Sequence, residues 1–250
     1  MIFLIVRALL AAIAGWLAGA IINYISDVLP QNRRLIHPHC THCNANIPAD
    51  RYLFNSVCEQ CKTQFSVRHW IITFTLPLVY VLMATIGGRT GWSLIENMSV
   101  VAFFGLIIVI DIEHHLILHT VSAFGAVLLG IIGFLNHGWR ATLIGGGTGL
   151  IIMFALFIIG YYFSKIISKR RGVELDEGLG FGDVILSFVC GLLLGWPGIS
   201  LGLFTGIVLG GVYSLVLIIY YAIKKQYQPY MTIPYGPFIA GATLFYWLIR

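Results

Sequence analysis

The sequence has little charge. Only 10% of its 250 residues are Asp, Glu, Lys or Arg, whereas 58% are hydrophobic. Soluble globular domains contain about 25% charged residues, so this composition excludes a soluble protein. The mean hydropathy of +0.89 agrees with that conclusion. The composition therefore indicates an integral membrane protein.

The chain also lacks a basic segment ahead of its first apolar run. Ala18-Gly19-Ala20 resembles a signal peptidase cleavage site. The apolar run before it, however, is longer than the about 7–15 residues of a signal peptide, and no basic region precedes it. We therefore expect residues 1–25 to remain as the first transmembrane helix.

Apolar segments long enough to cross a bilayer recur along the chain. A spanning helix needs about 17–25 such residues. Eight segments qualify, at about 2–25, 71–88, 94–111, 115–136, 141–163, 180–196, 199–223 and 232–249. The predicted fold class is all-α, a polytopic membrane protein with about eight transmembrane helices. We expect three parts: the first helix, a polar loop at 26–70 and a seven-helix membrane region at 71–250.

A triple glycine opens one of these segments, at Gly145-Gly146-Gly147. No Lys-Ser or Lys-Thr follows it and no strand precedes it, so it does not match a phosphate-binding loop. Glycine lets membrane helices approach each other closely. We therefore predict helix packing at this position.

The basic residues predict the orientation in the membrane. The loops at 26–70, at 164–179 and near 225 carry eleven of the fifteen Lys and Arg residues. Because Lys and Arg accumulate on cytoplasmic loops, these loops are predicted to be cytoplasmic and the amino terminus external. The net charge of +5 then follows from topology. The lipid bilayer is the expected partner, and no nucleic acid is required.

Four of the five cysteines form two Cys-x-x-Cys pairs in the polar loop. The pairs are Cys40 with Cys43 and Cys58 with Cys61, separated by fourteen residues. This spacing is typical of a zinc ribbon with four thiolate ligands. Disulfides are the alternative, but they rarely persist in the cytoplasm. Since four cysteines leave no open position, we predict a structural Zn²⁺ that folds the loop.

Two aspartates stand at the ends of apolar segments. Asp111 closes the segment 94–111, and Asp183 follows Gly180-Phe181-Gly182 at the start of the segment 180–196. A carboxylate at membrane depth is costly and suggests function. Two segments lie between the aspartates, so both are predicted at the same membrane face. Two adjacent carboxylates can share one proton and act as general acid and general base on a water molecule.

Other interpretations of these aspartates remain open. Asp183 could serve only as an N-cap, because it precedes an apolar helix. Asp111 could bind a metal ion together with His114 and His115, or the three could relay protons in a transporter. A proton- or metal-ion-handling transporter and a non-catalytic scaffold of a pilus or secretion machinery are therefore the alternative functions.

Several motifs together resemble one protein family. Gly180-Phe181-Gly182-Asp183-Val184 is similar to the Gly-x-Gly-Asp motif of intramembrane aspartyl proteases, in the form that prepilin peptidases (type IV leader peptidases) carry. Asp111 with Glu113 matches that family's first catalytic stretch. The tetracysteine loop also resembles the family, and residues 233–238, Ile-Pro-Tyr-Gly-Pro-Phe, are similar to its Ile-Pro-Phe-Gly-Pro-Phe.

The resemblance implies a multi-pass aspartyl endopeptidase of the bacterial cytoplasmic (inner) membrane. Its substrates would be type IV prepilins or related pseudopilins, whose basic leader is removed at the cytoplasmic face. It implies that Asp111 and Asp183 are catalytic, and that the supporting residues are Gly180, Gly182, Pro234 and Gly236. Bifunctional relatives also methylate the new amino terminus with S-adenosylmethionine. Thr73 stands where those relatives have glutamate, so methylation and S-adenosylmethionine binding are not favoured here.

Overall fold

In the computed structural model, every helix or strand of the described residues is an α-helix. The structure describes residues 2–38, 40, 43, 45–48, 52, 58, 60–62, 66–88, 90–171, 180–224 and 234–250. The helices of this described part are α1 (Ile2–Asn32), α2 (Val67–Thr85), α3 (Trp92–His114), α4 (His119–Arg171), α5 (Phe181–Leu194), α6 (Gly198–Ile223) and α7 (Gly236–Leu248). The predicted all-α class is confirmed.

Five helices of the described residues are long and apolar enough to cross a membrane. They are α1, α2, α3, the part of α4 up to Ile166, and α6. The apolar helices α5 and α7 have only 14 and 13 residues. The structure is thus that of a polytopic membrane protein. Its described residues contain five helices of spanning length, whereas the sequence predicts eight. The difference lies in the two short helices and in α4, which combines two predicted segments.

Helix α4 contains a kink that separates its two parts. Gly138 has φ 79° and ψ 164°, far from helical values, and the helix continues on both sides of it. A positive φ of this kind is accessible to glycine because it has no Cβ. The kink lies between the predicted segments 115–136 and 141–163. The predicted break is therefore present, as a sharp bend without a loop.

The contacts divide the chain into two compact units, Met1–Leu106 and Ile107–Arg250. In the first unit, small residues of α1 face α2. A methyl group on Gly15 would lie 2.6 Å from Cα of Pro77, and one on Gly19 would lie 3.3 Å from the carbonyl oxygen of Ile72. Such small residues let membrane helices pack backbone to backbone. Helix α1 itself continues to Asn32, beyond the predicted end at residue 25.

In the second unit, glycines join α4 to α5. A methyl group on Gly145 would lie 2.5 Å from the carbonyl oxygen of Gly191, and one on Gly149 would collide with the carbonyl oxygen of Ser187. Leu192 packs against Gly146 in the same contact. The packing role predicted for the triple glycine is confirmed for its first two residues. This contact fixes α5, and with it the position of its first turn.

Helices α6 and α7 pack in the same manner. A methyl group on Gly206 would lie 3.0 Å from Cα of Ile239, and one on Gly210 would lie 2.7 Å from the ring of Tyr235. The hydroxyl of Tyr235 donates a hydrogen bond of 2.9 Å to the carbonyl oxygen of Ile207. Helix α6 therefore holds the residues that lead into α7.

Candidate active site and metal centre

Asp111 lies in the last turn of α3 and is buried, with 5% of its surface exposed. Its Oδ2 atom accepts no hydrogen bond of ordinary geometry within the described residues. The backbone amide of Gly236, at the start of α7, interacts with this carboxylate. A methyl group on Gly236 would lie only 2.6 Å from Oδ2. The absence of a side chain at Gly236 is therefore what leaves room for the Asp111 carboxylate.

Asp183 lies in the first turn of α5 and is also buried, with 8% of its surface exposed. Its Oδ2 accepts a hydrogen bond of 3.3 Å from the backbone N–H of Gly180. Gly180 is the N-cap residue and has extended backbone. Asp183 is thus the third residue of the helix and satisfies the amide of the N-cap residue, as the acidic residue of a capping box does. The interpretation of Asp183 as the N-cap itself is wrong.

The two carboxylates lie in the same region of the second unit. The charge of Asp111 acts electrostatically on Asp183. Ile117, in the turn after α3, connects their surroundings. A methyl group on Gly182 would lie 2.7 Å from Cβ of Ile117, and one on Gly236 would lie 3.6 Å from its Cδ1. The start of α5, the start of α7 and the end of α3 therefore meet around Ile117.

Two residues of this site were not predicted from the sequence. Ile117 fills the space beside both glycines, and Tyr235 is close enough to interact electrostatically with Asp183. Pro234, which was predicted, is half-buried and directly precedes Tyr235. A signal for Tyr235 existed, since it lies between the motif residues Pro234 and Gly236. For Ile117 the signal was that it fits, together with Asp111 and Glu113, the stretch of the family that this part of the sequence resembles.

The histidines near Asp111 do not form a metal site with it. His115 has a positive φ of 50° and follows the end of α3. His114 lies 4.0 Å from the carboxylate of Glu113. Among the described residues, the only group of three or more His, Cys, Asp or Glu side chains close enough to hold a metal ion is formed by cysteines. The structure therefore does not support metal binding by Asp111, His114 and His115.

That group consists of the four predicted cysteines, and it lies in the first unit. The Sγ atoms of Cys40, Cys43, Cys58 and Cys61 all lie within 4.8 Å of one another. Cys40 and Cys61 are 3.5 Å apart, and Cys43 and Cys58 are 3.6 Å apart. Four thiolates at about 2.3 Å from a tetrahedral Zn²⁺ would be separated by about 3.8 Å. The cysteines are free thiols, and their arrangement fits a metal ion with four thiolate ligands.

The cysteine cluster is attached to α1 and α2 by buried contacts. Cys40 and Cys58 are buried together with Ile47 and Tyr52. The hydroxyl of Tyr52 donates a hydrogen bond to Asp27 of α1. Arg68, at the start of α2, forms an ion pair with the same carboxylate. Burial, together with the neighbouring Asp27 carboxylate, raises the pKa of Tyr52, so this hydroxyl remains a donor.

Curated proteins from three bacteria are similar to most of the chain, and each is named prepilin leader peptidase/N-methyltransferase. The protein from Aeromonas hydrophila is 24% identical over 227 residues, covering 86% of this chain and 72% of its own length. The protein from Stutzerimonas stutzeri is 25% identical and that from Dichelobacter nodosus 26% identical. They cover 84% and 82% of this chain, and 71% and 67% of their own lengths. No solved protein structure gives a significant match.

A family model matches the central part of the sequence. The match covers residues 98–215 and belongs to the type IV leader peptidase family. Asp111, Gly180, Gly182 and Asp183 all lie within it. The buried carboxylates described above are thus part of the matched region, which also contains the Gly-x-Gly-Asp motif at residues 180–183. Residues 98–215 are therefore similar to the type IV leader peptidase family, the family that the motifs resemble.

Proposed function

We propose that the protein is a membrane aspartyl endopeptidase that removes the basic leader peptide from type IV prepilins or pseudopilins. The observation that carries this proposal is the convergence of two buried carboxylates, Asp111 and Asp183, inside the matched peptidase domain. The names of the similar proteins support the choice of substrate.

The chemistry follows from a pair of carboxylates that holds one proton between them. The ionised carboxylate takes a proton from a bound water as the water oxygen attacks the carbonyl carbon of the scissile peptide bond. The protonated carboxylate gives its proton to the carbonyl oxygen. As the C–N bond breaks, the carboxyl group that took the water proton gives it to the leaving amine, and a hydroxyl of the tetrahedral intermediate returns its proton to the other carboxylate.

The surrounding residues position these groups. The N–H of Gly180 holds the Asp183 carboxylate, and the amide of Gly236 orients Asp111. Gly182 leaves space for Ile117, which packs beside the pair. Pro234 cannot donate a backbone hydrogen bond, so it favours irregular backbone before α7, where an extended substrate segment can lie.

The membrane arrangement is also part of the proposal. Residues 1–25 form the first span, residues 26–70 a cytoplasmic zinc-binding loop, and residues 71–250 a seven-helix catalytic region. This arrangement gives eight spans in the bacterial inner membrane, with the catalytic aspartates at the cytoplasmic face. The distribution of Lys and Arg supports that orientation.

In the proposed loop, Cys40, Cys43, Cys58 and Cys61 would hold one structural Zn²⁺. The ion would stabilise the fold of a segment too small for a core of its own. N-methylation with S-adenosylmethionine would be a second reaction. Thr73, at the position of the relatives' glutamate, donates a hydrogen bond of 2.7 Å to the carbonyl oxygen of His69 and accepts one of 3.2 Å from Asn23. The bond from Asn23 joins α1 to α2, whereas the bond to His69 lies within α2, and both give Thr73 a structural role.

The test is cleavage of purified prepilins by the detergent-solubilised protein, followed by mass spectrometry of the product. We expect the wild type and Glu113→Gln to cleave, because Glu113 is an exposed carboxylate two residues from Asp111. Asp111→Asn and Asp183→Asn should lose cleavage while remaining folded. No cleavage by the wild type on several prepilins, or full activity in either asparagine variant, would refute the proposal. A product heavier by one methyl group only with S-adenosylmethionine would establish methylation.

A further inference from the structure

An apolar groove lies along α1 in the first unit. Its volume is about 740 Å³, within the range of about 300–1,000 Å³ for sites that bind small molecules. One side is a stripe of α1 and the other is the segment 35–38, with Tyr52 also in the lining. The stripe consists of Leu17, Ala20, Ile21 and Tyr24, which share one helix face because they are spaced by three or four residues.

The turn after α1 builds the second side of this groove. Arg33 has a positive φ of 52°, where the helix ends and the chain reverses. The hydroxyl of Tyr24 donates a hydrogen bond of 2.7 Å to the carbonyl oxygen of Ile36. This bond fixes the segment 35–38 against the helix, so the groove is a built feature of the fold.

The lining excludes most polar ligands. The hydroxyl of Tyr24 already donates a hydrogen bond to the carbonyl oxygen of Ile36, and the hydroxyl of Tyr52 already donates one to the Asp27 carboxylate. Among the residues that the structure describes, the remaining lining is aliphatic, apart from His37. An occupant must therefore be apolar along most of its length, as a hydrocarbon chain is.

Two cations directly precede the lining segment 35–38 in the sequence. Arg33 and Arg34 directly precede Leu35, which lines it, and both are exposed. Neither takes part in an ion pair within the part of the chain that the structure describes. Arginine binds phosphate oxygens through two parallel hydrogen bonds. The groove thus combines a site for an apolar chain with a site for an adjacent anion.

We propose that this groove binds one acyl chain of an anionic phospholipid, whose phosphate lies on Arg33 and Arg34. The groove belongs to the first unit and the aspartates to the second, and the proposal does not depend on the proposed peptidase activity. Each basic residue near a membrane surface strengthens binding of anionic lipid about fivefold. Replacing both arginines should therefore lower the preference for anionic lipid about 25-fold.

Native mass spectrometry of the purified full chain tests the site. The protein is incubated with equal amounts of phosphatidylglycerol and phosphatidylethanolamine that carry the same acyl chains. We expect the wild type to retain phosphatidylglycerol preferentially and the double variant Arg33→Gln/Arg34→Gln to lose that preference. Ala20→Phe, which fills the groove, should lose retention of either lipid. Matched controls are Arg140→Gln, an exposed arginine of α4, and Ala14→Phe, an exposed alanine of α1 outside the groove.

Each other outcome overturns the proposal. Equal retention of both lipids by the wild type would refute the phosphate site, as would full selectivity in the arginine double variant. Should Ala20→Phe fail to fold, as judged by circular dichroism, the arginine variants still decide the question. If Ala20→Phe instead converts a dimer to a monomer, a second copy occupies the groove. If it abolishes binding of a prepilin that displaces the lipid, the substrate does.

Discussion

Replacing Gly236 by alanine should disrupt the Asp111 carboxylate without altering its chemistry. The added methyl group would lie 2.6 Å from Oδ2 and 3.1 Å from Cγ of Asp111. Carbon and oxygen atoms at ordinary van der Waals contact are about 3.4 Å or more apart, so one of them must move by about 0.8 Å. Gly236 is the first residue of α7, where alanine is compatible with the backbone. The substitution therefore acts mainly through this displacement.

A misplacement of about 1 Å at a catalytic group costs about 100-fold in rate, which corresponds to about 2.7 kcal/mol of transition-state stabilisation. We expect kcat/KM for prepilin cleavage to fall by about this factor in Gly236→Ala. The assay measures initial rates on one prepilin, with the melting temperature recorded for each variant. Gly241→Ala is the matched control, because it lies in the same helix and no atom lies within 4 Å of the added methyl group. Cleavage by Gly236→Ala at the wild-type rate would show that Asp111 does not need the space that Gly236 leaves, and would refute this prediction.

Three further predictions concern other parts of the molecule. Cys58→Ser should abolish stoichiometric zinc, measured by mass spectrometry of metals, and make the loop sensitive to proteolysis; bound zinc at the wild-type level would contradict the four-thiolate site. Tyr52→Phe should lower the free energy of unfolding by about 0.5–1.5 kcal/mol, because it removes one hydrogen-bond donor from the half-buried Asp27 carboxylate. An unchanged denaturant midpoint would show that this bond is unimportant. Gly145→Leu should reduce the melting temperature and the yield of folded protein, whereas Gly147→Leu, whose Cβ would meet no atom within 4 Å, should not.

The features predicted correctly from the sequence are those for which the chemistry requires particular residue types at a given spacing or frequency. The spacing of Cys40, Cys43, Cys58 and Cys61 predicted their cluster, because a tetrahedral ion needs two close pairs of thiolates. The low charge predicted a membrane protein made of helices, since only helices and closed barrels satisfy the backbone within lipid.

Other features could not be predicted, because they depend on which faces meet. The segments are apolar all round, so periodicity does not tell the lipid-facing side from the buried side. The role of Ile117 arises because two glycines from different helices come against it. The bend at Gly138 depends on whether the helix resumes after the glycine, and the count of spans depends also on the short lengths of α5 and α7. No local signal decides either.

The short length of α5 and α7 has a consequence for the lipid around them. At about 1.5 Å per residue, their 14 and 13 residues extend only about 20 Å, whereas the hydrocarbon layer is about 30 Å thick. Both helices begin beside the aspartates, at Phe181 and at Gly236. Such a hydrophobic mismatch is relieved by local thinning of the bilayer. Thinning at these two helix starts would bring the aqueous phase down to the carboxylates, and so deliver the water molecule that hydrolysis consumes.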